Sequence, residues 1–125
     1  METIKIKEAV KVLEVTRAML DGSTFNDVAM KSVKITNANL SDLEIEGAQL
    51  GGAFIHNVGM PPVGHPLYDA TAKQRPLRFE DCYLADSTIP NCNLSGIVID
   101  DCNVTGMKIN GILLEDLLDA YNKGK

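Results

Sequence analysis

The feature that most constrains this chain is a period of five. Stepping by five from Phe25 gives Met30, Ile35, Leu40, Ile45, Leu50 and Ile55. The register breaks, then resumes at Phe79 and runs through Leu84, Ile89, Leu94, Ile99, Val104, Ile109 and Leu114. All fifteen of these central positions are apolar. Two residues before each centre, thirteen of fifteen are apolar, and ten of the fifteen are Ala, Ser, Cys or Val. Two residues after each centre, fourteen of fifteen are Asp, Asn or Gly, with Ser32 the exception. Those three residue types tolerate turn conformations that others resist. The pattern therefore predicts a corner every five residues. Between corners, the centre and the residue two before it point the same way, as strand geometry requires. An α-helix does not fit, because 3.6 residues per turn spreads a period of five around its circumference.

A corner every five residues suggests a polygonal coil. Four sides close a square of twenty residues, which would set i over i+20, with hydrogen bonds between coils at about 4.8 Å. ANLSD, AQLGG, CNLSG and CNVTG carry a family resemblance here. They match the A/C-(D/N)-L-x-x pattern of pentapeptide-repeat proteins. The resemblance covers residues 23–116 apart from one interruption. It implies an all-β fold, a right-handed quadrilateral β-helix of about four coils, with a C-terminal helical cap. Leu43, Leu77, Ile97, Met107 and Ile112 depart from it, standing where a small residue is expected. The domain reading is an N-terminal cap segment at 1–21, the repeat region at 22–116, and a C-terminal helix and tail at 117–125.

The two ends and the interruption read differently. Leu114, Leu117, Leu118 and Tyr121 fall at i, i+3, i+4 and i+7, which predicts a helix over LEDLLDAYNK. Leu117, Leu118 and Tyr121 are the expected cap or dimer contact, the latter implying a homodimer through this helix. Residues 2–20 fix no single type of element: Ile4 and Ile6 alternate with lysines, while Val10, Leu13 and Arg17 suit a helix. The interruption, Gly59 to Pro76, holds four of the five prolines. Segments of that length without regular structure are commonly functional or disordered. His65 and Tyr68 are its candidate binding residues.

Charge narrows the function. The net charge is −5, which lacks the basic footprint of a direct nucleic-acid binder. No apolar run reaches the ~18 residues of a membrane span. Charges stand where a signal peptide needs an apolar stretch. Three cysteines are an odd count, which does not suit a disulfide framework. A cytoplasmic chain is the expectation. Cys82, Cys92 and Cys102 take the small inward position and read as buried core filler. His56, His65 and Asp69 match no standard metal spacing, and no nucleophile has a paired base. No enzyme activity, cofactor or metal is expected.

The acidic residues are the most informative outward feature. Between Leu77 and Leu118 seven acidic residues face two basic ones. Glu80 and Asp100 differ by twenty, as do Asp81 and Asp101, so coil stacking would gather four carboxylates on one edge. The leading expectation is a non-catalytic protein-interaction module presenting a rigid acidic surface to a protein partner. The resemblance adds a special case: some pentapeptide-repeat proteins mimic duplex DNA and interact with topoisomerases. The alternative is a small-ligand or divalent-cation module using the Pro-rich loop and the acidic edge.

Overall fold

The computed structural model describes residues 2–124. The chain divides into two units, one ending at His56 and one beginning at Asn57.

The corners are where the repeat places them. Backbone φ is positive at every residue two past a centre, from Asp27 (56°) and Asn37 (52°) to Asp101 (52°) and Gly111 (80°). The exception is Asp116, which lies in a helix. Two kinds of corner alternate. One kind is a hydrogen-bonded turn opened by a centre residue. The N–H of Leu43 donates to the Leu40 carbonyl at 3.1 Å, Ala53 to Leu50 at 2.8 Å, and Ile97 to Leu94 at 3.0 Å. The positive φ at the third residue of each, as at Asp42 and Gly96, is the signature of a type II turn. The other kind is an open bend at the intervening corner, as at Asn37 and Asn91. The Asn that precedes some centres adds a local clamp. Asn39 Oδ1 accepts from the N–H (3.0 Å) and hydroxyl (2.6 Å) of Ser41. Asn93 holds Ser95 in the same way, and Asn103 accepts from the N–H of Thr105.

The expected quadrilateral β-helix is not present. Among the described residues the regular elements are two short strands and one helix, all near the C-terminus. No described residue is buried. Leu94 and Ile99, expected deep inside a stack of coils, are 45% and 51% exposed. The exposed surface is 13729 Å². A compact monomer of this mass exposes roughly 6,600 Å². The reason is the difference between local and non-local determinants. A corner needs one residue that accepts a left-handed backbone, and the sequence supplies it every five residues. Stacked coils need hydrogen bonds between segments twenty residues apart. Among the described residues, the backbone bonds seen outside helix and strands instead close short turns, apart from one that extends the C-terminal hairpin and one that caps the helix.

The second unit holds the regular structure. Strands β1 (Lys108–Ile109) and β2 (Ile112–Leu113) pair antiparallel, with Ile109 opposite Ile112 and Lys108 opposite Leu113. Asn110 (φ 50°) and Gly111 (φ 80°) connect them. Two successive left-handed residues make the type I′ turn that suits a two-residue hairpin. The N–H of Leu114 donates to the Met107 carbonyl at 2.9 Å, which extends the ladder by one pair. Helix α1 (Leu114–Lys123) begins there without a linker. Glu115 and Asp116 lie in its first turn and Lys123 in its last, as the helix dipole favours. Glu115 Oε1 also accepts from the Gly106 N–H at 3.0 Å, tying the helix start to the preceding corner. Val104, Met107, Leu113 and Leu114 are half-buried, the densest packing in the unit. The helix has no buried residue, so it lies beside the hairpin and does not cap stacked coils.

Candidate functional site

The acidic residues occupy corners. Asp81 and Asp101 both take the left-handed conformation, with φ of 54° and 52°. Glu80 forms an exposed ion pair with Arg78 at 2.7 Å. The carbonyls of Glu80 and Asp100 each accept a hydrogen bond from the thiol two residues on. Among the described residues no three His, Cys, Asp or Glu side chains come close enough to hold a metal ion. Glu80, Asp81, Asp100 and Asp101 therefore do not form such a group.

The Pro-rich segment is a chain of local turns. The His65 N–H donates to the Pro62 carbonyl (3.0 Å), Tyr68 to His65 (2.9 Å), and Ala72 to Asp69 (3.2 Å). His65 Nδ1 accepts from the Leu67 N–H at 3.0 Å. Asp69 Oδ1 accepts from the Thr71 hydroxyl at 2.7 Å and the Thr71 N–H at 2.9 Å. These bonds, the hydroxyl's first, hold the Asp69 carboxyl below its ordinary range, because they favour the charged form. Pro61 and Ala72 are half-buried in this segment. His65 and Tyr68 are thus joined by a turn, while Leu117, Leu118 and Tyr121 sit exposed on α1. In the first unit the His56 ring stacks on Phe54, with centroids 4.1 Å apart and planes at 17°.

The cysteines depart from the expectation of burial. Cys82, Cys92 and Cys102 are free and exposed. Each thiol donates to the carbonyl two residues earlier: Glu80 at 3.3 Å, Pro90 at 3.3 Å and Asp100 at 3.1 Å. The inward position had meaning only inside stacked coils. All three thiols of the native protein are therefore expected to react with an aromatic disulfide reagent at a rate close to that in denaturant. A native protein labelled only after unfolding would contradict the exposure seen here.

Open clefts occur in the first unit. One, of about 400 Å³, lies between residues 3–7 and Thr24 and Asn26. Another, of about 640 Å³, lies between residues 6–11 and residues 26–29. Their walls mix lysines, Glu8 and Asp27 with Thr24, Asn26 and apolar side chains such as Ile6 and Val28. No helix of the described residues is long and apolar enough to cross a membrane.

What sequence reasoning missed is the apolar surface itself. Phe25, Ile35, Ile45, Leu50, Leu84 and Ile89 were assigned to an interior and are instead exposed. A scan against protein-family models finds no match, and comparisons with curated proteins and with solved structures find none either.

Proposed function

We propose that this chain is a non-catalytic protein-interaction module whose apolar ladder is completed by a protein partner. One observation carries the reading: the described chain has no buried core, yet it displays large apolar side chains at a fixed interval along both repeat runs. Exposed apolar surface beyond a few hundred Å² marks interaction sites in soluble proteins. The corners make the display regular, because each left-handed residue sets the backbone direction for the next segment. The acidic side chains between the apolar positions add a negative rim, which steers encounter with a complementary surface more than it adds affinity.

The test compares two baits, the full chain and a variant with Ile35, Leu40 and Ile45 all changed to Ser. A partner that uses the ladder is captured by the parent and lost from the variant. The hairpin and helix, in the other unit, serve as the internal control and should keep their circular dichroism. Identical capture by both baits would refute the reading.

A further inference from the structure

We propose that Cys82, Cys92 and Cys102 form a charge-sorted set of thiol–disulfide exchange sites, in which Cys92 takes an anionic, glutathione-like disulfide and the other two are shielded from it. All three thiols are free and exposed, so a reagent can reach each of them. They also share one local backbone. The residue before each cysteine is left-handed, Asp81 at φ 54°, Asn91 at 58° and Asp101 at 52°. Each thiol donates to the carbonyl two residues earlier, that of Glu80, Pro90 or Asp100. That bond sets the sulfur beside the two preceding residues. The geometry is therefore the same at the three sites, and the charge of those preceding residues is what differs.

Cys82 follows Glu80 and Asp81, and Cys102 follows Asp100 and Asp101, whereas Cys92 follows Pro90 and Asn91. No charged residue lies anywhere in 87–99. Arg78 separates the two acidic sites, because its guanidinium pairs with Glu80 at 2.7 Å. Asp100 and Asp101 have no ion pair among the described residues. The thiolate does the chemistry. A thiol gives its proton to solvent, the thiolate sulfur attacks one sulfur of the disulfide, and the S–S bond breaks as the new one forms. The leaving half departs as a thiolate and takes up a proton. The protein sulfur is oxidised and the leaving sulfur is reduced. Glutathione disulfide carries more carboxylates than ammonium groups, so the carboxylates beside Cys82 and Cys102 repel it. Unit charges roughly 7 Å apart in water interact by about RT, which slows such a reagent about two- to threefold per carboxylate. The order for an anionic disulfide is thus Cys92 first, Cys82 next and Cys102 last.

The experiment follows exchange on the full native chain with two probes, glutathione disulfide and cystamine, whose charged groups are ammonium only. Mass spectrometry of the digested protein gives the initial rate of mixed-disulfide formation at each cysteine. Both probes meet the same thiolate, so the ratio of their rates at one cysteine reports the charge of the probe. The ratio of glutathione disulfide to cystamine should be largest at Cys92 and smaller by about tenfold or more at Cys102, with Cys82 between them. The spread should shrink as salt rises, since exposed charges are screened. Asn91→Asp should lower the ratio at Cys92, and Asp101→Asn should raise it at Cys102. Both residue types accept a left-handed corner, and the circular dichroism of the helix reports that each variant is intact. Equal ratios at the three thiols, or ratios that ignore both substitutions, overturn the proposal. So does a Cys92 that reacts with neither probe in the native protein.

Discussion

Replacing Gly111 by valine is expected to remove most of the helical circular dichroism of the protein. Gly111 sits at φ 80° in the two-residue turn between β1 and β2. A β-branched residue is strained there, at a cost of about 1–3 kcal/mol. The hairpin has little to set against that, because two-stranded hairpins are marginal by themselves. The helix falls with it for a structural reason. Helix α1 starts directly after β2, its first residue bonds back to Met107, and Glu115 bonds back to Gly106. A ten-residue helix is shorter than the ~12–15 residues an isolated helix needs in water. Detached from the hairpin, it should unwind. Gly111→Asn is the matched control, since asparagine accepts left-handed geometry far better than valine. It should keep most of the signal at 222 nm and most of the amide protection at Gly124. A valine variant with an undiminished helix would show that α1 stands without the hairpin.

The same hairpin shows how far the sequence could be read. Asn110-Gly111 between Ile109 and Ile112 is a strong short-range hairpin signal. It went unread because the five-residue register absorbs Gly111 as one more corner. The helix was legible as LEDLLDAYNK, since its apolar spacing differs from that of the repeat, although the domain boundary at 117 fell three residues inside it. The corners were legible because each depends on one residue, and Asp, Asn and Gly are rare enough in combination to stand out. The stacking of coils was not legible, since it depends on which distant segments bond to each other, and periodicity is silent on that. Every expectation built on stacking inherited the error. The burial of Leu94, Ile99 and the three cysteines belongs to that class. The four-carboxylate edge was drawn from the same twenty-residue arithmetic.

The heat-capacity change on unfolding is expected to be less than half that of an ordinary domain of this length. An extended chain of this mass exposes about 19,700 Å², and a compact fold leaves about 6,600 Å² of it in water. An ordinary domain thus covers about 13,000 Å² on folding. This chain exposes 13729 Å², so it covers about 6,000 Å² relative to the same extended reference. Unfolding 125 residues of ordinary globular protein raises the heat capacity by about 1.6 kcal/mol/K, chiefly because apolar surface meets water. Here the rise should stay below about 0.8 kcal/mol/K. The dependence of stability on urea should be reduced by a similar factor, since its slope follows the same newly exposed area. Both measurements belong at concentrations low enough that copies of the chain are separate. A full-sized heat-capacity change in dilute solution would mean that the isolated chain buries a core, and the exposed ladder would lose its role as a binding surface.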